Sequence, residues 1–450
     1  MRQNSRLKVA VIGTGISGLS AAWLLSRRHD VTVYEQADRL GGHSNTVLAS
    51  VGGRTVAVDT GFIVFNRKTY PNLTAMLEWL GVPTERSNMS FAVSLDDGAL
   101  EYSGSGLSGI FAQPRNLVRP RFWAMLADLV RFHRRASRDA GLLDDERVSL
   151  GDYLDAGRYG PAFRDDHLLP MACAIWSSPS AEMLAHPAAA FIRFHHNHGL
   201  LQARRTPVWE TVSGGSATYV RRLAAAFADS IRLDTAVTEV RRRSDGVMVT
   251  DARGGSERYD HVVMAAHADR TLAMLADPSP LESELLGTFR YSRNLAVLHS
   301  DASFMPRRRA AWSSWNYIGA RGSSAPGVCV TYWMNRLQSI ASDTPLFVTL
   351  NPPRPPHAGT LLHSEVYHHP VFDADAIAAQ RRLWPLQGAR RTWFCGAYFG
   401  AGFHEDGLQA GLAVAEQLGD VRRPWTVANE SGRIWLSPRT VGATASELTR

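Results

Sequence analysis

Residues 7–35 read LKVAVIGTGISGLSAAWLLSRRHDVTVYE, and this stretch decides the fold. Leu7 to Ile12 is a short apolar run of strand character, and a glycine turn follows. Apolar residues then fill a helical run from about Ser17 to Arg28, and Val31 to Tyr34 forms a second strand. A strand, a turn, a helix and a strand within 30 residues make one complete β-α-β unit. Inside the turn lies Gly13-x-Gly15-x-x-Gly18. Gly13 allows the tight bend, Gly15 lets the backbone approach a pyrophosphate, and Gly18 permits close helix–strand packing. The helix beginning at Ser17 points its free N–H groups at such a phosphate. Glu35, at the end of the second strand, is placed to accept both hydroxyls of an adenosine ribose. Its negative charge disfavours a nucleotide carrying a 2′-phosphate. The expected architecture is α/β: a Rossmann-like parallel sheet with helices, interwoven with an α+β substrate domain.

Working outward, further glycine turns suggest a long cofactor. Arg39-Leu40-Gly41-Gly42 follows Glu35 closely. The glycine pair lets the chain pass near a diphosphate, and Arg39 can neutralise it. Val58-Asp59-Thr60-Gly61-Phe62 offers another backbone approach. Near the C-terminus, Cys395-Gly396-Ala397 opens a loop ending in Glu405-Asp406-Gly407, before a helix expected over Leu408 to Leu418. That helix N-terminus suits negative charge on a reduced isoalloxazine ring. A cofactor held at both ends by opposite ends of the chain fits FAD better than a nicotinamide dinucleotide.

The 450 residues, 45% hydrophobic and 20% charged, exclude a disordered chain, a collagen-like repeat and a disulfide-stapled miniprotein. At about 150 residues per unit, two or three folded units are expected. The reading divides the FAD-binding domain into 1–75, 206–275 and 388–422, the substrate domain into 76–205 and 276–387, and leaves 423–450 as a surface tail. Residues from about Pro71 to Arg205 read as helical, and Asn294 to Glu365 as strands. Strands are also expected around Ile231 to Val240, Gly246 to Thr250 and Asp260 to Ala266. No apolar run approaches the roughly 20 residues that span a bilayer. The first residues lack the apolar core of a signal peptide, so cytoplasmic residence is expected. Cys173, Cys329 and Cys395 are scattered without any Cys-x-x-Cys, which offers neither a disulfide framework nor a zinc site. The net charge of +7 rests on 49 basic against 42 acidic residues, with Lys8 and Lys68 the sole lysines. That mild excess, without a basic stripe or recognition motif, gives no expectation of nucleic-acid binding.

On these elements the chain resembles the flavin-containing amine oxidase and phytoene desaturase superfamily: GxGxxG, an acidic ribose residue, R-x-G-G and a C-terminal glycine-rich flavin loop. The likeness extends to Val212-Ser213-Gly214-Gly215, which starts a helix, and to Thr235-Ala236-Val237. The strings FMPRRRAAWSSWNY and GFHEDGLQAG are similar to a bacterial subgroup of NAD/FAD-binding oxidoreductases associated with cyclopropane-fatty-acid-synthase-like methyltransferases. The resemblance implies that Gly13, Gly15, Ser17 and Gly18 hold the pyrophosphate and Glu35 the ribose. It sets Arg39, Gly41 and Gly42 beside the diphosphate, Gly61 and Phe62 at the flavin edge, and Val237 at the adenine. Gly396, Glu405, Asp406 and Gly407 would meet the far end, largely through main chain.

Two departures bear on the substrate. Many amine oxidases in the superfamily keep a lysine linked through water to flavin N5, and this chain has no lysine after Lys68. Its oxidases also tend to place an aromatic residue just before the acidic element of the C-terminal loop, a position read here as His404. Both favour desaturation, saturation or isomerisation of an apolar substrate, such as a fatty acyl chain, over amine oxidation. A peroxide-forming amine oxidase and a non-catalytic flavin-binding partner of a lipid-modifying methyltransferase are the alternatives. Candidates for moving the second proton are His404, Tyr398 and Tyr317. His195-His196-x-His198 does not give a metal site, because successive histidines point apart and no carboxylate joins them at useful spacing, and His368-His369-Pro370, expected to form a turn, gives none either. Finally, Arg115 to Arg138 (RNLVRPRFWAMLADLVRFHRRASR) clusters Phe122, Met125, Leu126, Leu129 and Val130 among arginines. The pattern suits peripheral contact with an anionic membrane face and also a solvated surface helix, the second being preferred.

Overall fold

The computed structural model describes residues 6–140, 147–197, 199, 201, 207–321 and 329–436. His198, the expected boundary at 205/206 and the tail beyond 436 lie outside the described residues. At its centre is a five-stranded parallel sheet. Its strands run in the order Ile231–Arg232, Asp30–Tyr34, Lys8–Ile12, His261–Met264 and Thr392–Phe394. The sheet therefore draws on the beginning, middle and end of the chain. From Lys8–Ile12 the connections leave in opposite directions, so a crevice opens above the C-terminal ends of these strands, where open α/β sheets bind ligands.

The helix Ile16–Ser26 is buried almost all round, because it lies between this sheet and the helix His404–Gly419. Small residues set that crossing. A Cβ on Gly411 would stand 2.2 Å from the Ser17 carbonyl oxygen, so only glycine admits the contact. The expected start of the C-terminal helix is corrected by a full turn. It begins at His404, with Asp406 Oδ2 accepting from the Phe403 N–H at 2.7 Å, rather than at Leu408. Asp406 thereby makes the N-terminal cap that the sequence reading placed in a loop.

A second, seven-stranded sheet runs Leu361–Val371, Arg290–His299, Phe347–Leu350, Cys329–Trp333, Trp315–Gly319, Phe91–Leu95 and Leu100–Ser103. All its pairings are antiparallel except Trp315–Gly319 with Phe91–Leu95. Its last two strands correct the helical reading of 71–205. They form a hairpin whose turn places Asp96 and Asp97 at φ 50° and 54°, followed by Gly98 at 79°. Asp-Asp-Gly is chemically suited to that left-handed backbone. The strand Thr84–Ser87 also falls in this stretch. The expected strand Ile231 to Val240 divides in two. Ile231–Arg232 joins the parallel sheet, while Val237–Arg242 opens a separate antiparallel meander.

Residues 423–436 lie along the surface and are tied to the parallel-sheet half. Trp425 stacks on Trp23 with centroids 5.7 Å apart, Ile434 is buried, and Arg423 bonds Glu416 and Asn72. Arg433 reaches Asp406 in the first turn of the C-terminal helix at 2.5 Å. Among the described residues, no helix is long and apolar enough to cross a membrane.

Candidate functional site

The site forms above the parallel sheet, beginning at the first glycine turn. Gly13 has φ +103°, and a Cβ there would meet the Ala265 carbonyl oxygen at 2.8 Å. A Cβ on Gly18 would overlap the Gly13 carbonyl oxygen at 2.0 Å, so Gly18 is fixed by packing. Gly15 differs: nothing lies within 4 Å of a Cβ built there. It is the N-cap of the helix Ile16–Ser26, and no side chain caps that end. The structure thus leaves uncapped helical N–H groups facing open space, as an anion requires.

Glu35 lies at the rim of this turn. Its Oε2 accepts from the Thr14 N–H at 2.9 Å and the Thr14 hydroxyl at 2.5 Å, and its Oε1 from the Ala37 N–H at 3.0 Å. The Thr235 N–H donates to the Glu35 carbonyl at 2.8 Å, which brings Thr235-Ala236-Val237 alongside. On the other flank, the Gly41 N–H donates to the Thr14 carbonyl at 3.1 Å. Arg39 donates to the Gly42 carbonyl at 2.8 Å and faces Glu365 at 3.4 Å. The two glycine turns expected to serve one cofactor are therefore in direct contact.

Farther along the crevice, the Phe62 N–H donates to the His43 carbonyl at 2.7 Å, an approach only Gly61 tolerates, because its Cβ would lie 2.2 Å from that oxygen. Phe62 stacks on His404. The Tyr219 hydroxyl, bonded to Ser44, is hydrogen-bonded to His404 Nε2 at 2.7 Å. Burial holds the His404 imidazole at a pKa of about 3, so it is neutral. Glu405 and Asp406 turn away from the crevice. Glu405 accepts from Asn72 and Leu73, Asp406 from Phe403 and Arg433, and both carboxyls are pushed up by burial. Gly396 is extended, preceded by the buried Cys395, whose thiol burial pushes up to about 12.

The three proton-transfer candidates do not converge. Tyr398 packs in the core of the parallel-sheet half against Phe289 and Phe399. Tyr317 lies on the seven-stranded sheet among the opposite cluster of apolar side chains. What does converge is a set of histidines. His43 lies 4.9 Å from the Tyr367 ring and 5.4 Å from His369, and His267 lies 6.2 Å from His368. The buried Asn294 Nδ2 bonds His369 Nδ1 at 3.1 Å, and Asn294 Oδ1 accepts from Asn351 at 2.8 Å. His43 Nε2 is buried and has no partner among the described residues. Burial lowers His369 and His267 to about 4 and His43 well below its ordinary value. His195 is buried against Phe191, whereas His196 is exposed.

The sequence reading missed Phe403. This residue, one before His404, presents an aromatic ring toward the substrate half. It stacks on Phe194 at 4.8 Å, and Phe194 meets Trp176 at 4.6 Å. Its helical phase was hidden by the misplaced start of the C-terminal helix. Tyr219 and Asn294 were also missed, since each reaches its partner from a distant part of the chain.

A parallel sheet with an uncapped glycine turn, a carboxylate at the end of its second strand and a second glycine turn in contact with the first defines a dinucleotide-binding oxidoreductase. Residues 16–336 match the family model described as flavin containing amine oxidoreductase, and the chain belongs to that family; its cofactor is FAD. A Mycobacterium tuberculosis (strain H37Rv) protein, AofH, whose name places it among flavin-containing monoamine oxidases, is 26% identical over 353 residues, 76% of this chain and 70% of that protein. Among solved structures, a mutant putrescine oxidase from a redesign of its cofactor binding superposes with a TM-score of 0.68 at 15% identity, covering 92% of this chain and 99% of that one. A CLA-producing fatty acid isomerase from P. acnes gives 0.64 at 14% identity, covering 92% and 98%. At those identities the two structures attest the fold alone.

Proposed function

We propose that this FAD-dependent oxidoreductase acts at carbon on an apolar chain, of fatty-acyl character, rather than on a charged amine. The observation that carries the reading is the absence of available charge in the interior. Among the described residues, Asp59, Glu101, Asp166, Glu282, Asp301, Glu405 and Asp406 are the buried carboxylates, and each already accepts hydrogen bonds or pairs with arginine. Desolvation holds His43, His369 and His404 neutral. A cationic substrate entering here would find no unengaged buried carboxylate among the described residues to offset its desolvation cost. The aromatic row Phe403, Phe194 and Trp176 offers apolar contact instead.

In this reading the N–H groups at Gly15, Ser17 and Gly18 hold the pyrophosphate, and Glu35 holds the ribose. Arg39, Gly41 and Gly42 flank the diphosphate, and Val237 lines the adenine end. Gly61 and Phe62, with the main chain of Gly396 and of residues 405–407, frame the far end. Bound FAD supplies hydride acceptance or donation. The chain orients the substrate, excludes water and manages one proton. His43 is the group for that proton, since its Nε2 is buried and without a partner among the described residues, and its ring abuts His369. His404, engaged by Tyr219 and Phe62, positions the site.

The alternative, an amine oxidase, draws on the names of the relatives. Anaerobic mixing of FAD-loaded protein with unsaturated and saturated fatty acids, phospholipids and an amine panel separates the two. Bleaching of the yellow flavin by an acyl compound, or acyl isomerisation without net bleaching, supports the proposal. Bleaching by amines alone, with peroxide released in air, overturns it.

A further inference from the structure

The surface built from residues 106–139 combines exposed apolar groups with arginines that form no ion pair among the described residues. It comprises the helix Gly106–Ile110, the turn Pro114–Val118 and the long helix Pro120–Asp139. The long helix spends one face on packing: Phe122, Met125, Phe132 and Ala136 are buried. These include apolar residues that, from sequence, suited a lipid-facing stripe, and the structure turns them inward. The opposite face presents Trp123, Ala127, Val130 and Arg134, spaced four, three and four apart, which keeps them on one side.

Exposed large apolar residues concentrate here. Twelve are exposed among the described residues, and five of them are Leu107, Leu117, Val118, Trp123 and Val130. Val118 is 81% exposed and Leu107 76%. Trp123 Nε1 donates to the Leu117 carbonyl at 2.9 Å, so its polar atom is already satisfied, and its half-exposed ring, which meets Phe111 on one side at 5.9 Å, offers its remaining face to an apolar phase.

The charges beside these groups do not cancel. Asp96 pairs with Arg321, Asp97 with Arg307, Asp128 with Arg131, Asp139 with Arg135, and Asp165 and Asp166 with Arg121. After that pairing, Arg115, Arg119, Arg134 and Arg138 form no ion pair among the described residues. Arg115 and Arg119 bond the Ala99 carbonyl, and Arg138 bonds the Arg134 carbonyl. Arg115, Arg321 and Arg308 stand close enough to Arg119 to disfavour its charge, after burial itself. Arginines with no counter-ion among the described residues, set beside an apolar ridge, suit an external polyanion with an apolar interior.

We propose that residues 106–139 form a docking surface for an anionic phospholipid bilayer, with Leu107, Leu117, Val118 and Trp123 entering the interface and Arg115, Arg119, Arg134 and Arg138 meeting lipid phosphates. The shallow apolar ridge with a basic margin matches interfacial binding, in which burial of apolar area and attraction to anionic lipid add. This inference stands independently of the substrate assigned above.

The test is sedimentation of the FAD-loaded full chain with vesicles. One set is an equal mixture of phosphatidylglycerol and phosphatidylcholine, and the other is phosphatidylcholine alone. Binding is expected to the mixed vesicles and to weaken with added salt, because surface attraction is screened. Trp123→Ser with Val118→Ser is expected to weaken it by about tenfold, as is Arg134→Ser with Arg138→Ser. Leu361→Ser, an exposed leucine outside the patch, should leave binding unchanged. Flavin content reports that each variant is folded. Equal binding to both vesicle sets, no binding to either, or undiminished binding by both double variants overturns the proposal.

Discussion

His404 and Phe62 lie face to face, their ring centroids 3.9 Å apart and their planes inclined by 11°. One ring begins the C-terminal helix and the other follows an N-terminal glycine, so the stack closes the crevice from both ends of the chain. Because burial keeps His404 at about 3, it carries no proton across ordinary working pH. The rate of flavin reduction should therefore show the same pH profile in the native protein and in His404→Gln. A limb between pH 5 and 8 that disappears in the variant would make His404 a proton carrier and contradict the positioning role.

His43→Gln is expected to retain flavin while slowing its anaerobic reduction by about a hundredfold, the scale of a lost general acid or base. Unchanged reduction at full flavin content would remove His43 from the chemistry.

Acid should unfold this protein steeply. His195 Nδ1 bonds the Phe191 carbonyl at 2.8 Å, which leaves Nε2 buried without a partner. Its folded pKa is about 3 against an ordinary 6.5. A depressed folded pKa means that the stability it confers is complete above pH 6.5 and is lost as pH falls toward 3. His195→Phe should flatten the decline in unfolding free energy between pH 6 and 4 by about 1.4 kcal/mol per pH unit. Denaturant titrations at several pH values read this directly, and parallel curves would contradict it.

Much of the parallel-sheet half was legible because its signals are local. Gly13, Gly15, Gly18 and Glu35 fall within one β-α-β unit, where turn chemistry and strand periodicity act over a few residues. The hairpin at Asp96-Asp97-Gly98 carries a local turn signal too, yet the helical texture around it masked that signal. Other features depend on distant partners. The Tyr219–His404 bond spans 185 residues and the Asn294–His369 bond 75, and no spacing rule encodes either. Phe403 was misassigned because its role depends on where the C-terminal helix begins, and Asp406 fixes that point through a bond to Phe403.

The ion pair between Arg433 and Asp406 ties the segment after residue 423 to that same helix start. Asp406 is fully buried and Arg433 largely so, and Arg433 also donates to the Thr69 carbonyl at 2.8 Å. Arg433→Leu strands a buried carboxylate, so unfolding free energy should fall by about 3–5 kcal/mol, with weaker flavin retention. Thermal melts and flavin content check both effects, and native values of both would show the pair to be dispensable.

Gly15 opens toward the cofactor space, and the Cα of Gly18 faces protein. A side chain at Gly15 meets nothing within 4 Å, whereas one at Gly18 meets the Gly13 carbonyl oxygen at 2.0 Å. The most direct measurement is the flavin absorbance of purified native protein, Gly15→Val and Gly18→Ala, each paired with a thermal melt of the apoprotein. The native protein is expected to be yellow, Gly15→Val colourless with a melt close to that of native apoprotein, and Gly18→Ala lower in its melt. A Gly15→Val protein that keeps its full complement of FAD, or a native protein that refuses FAD, would contradict the FAD-facing role of Gly15.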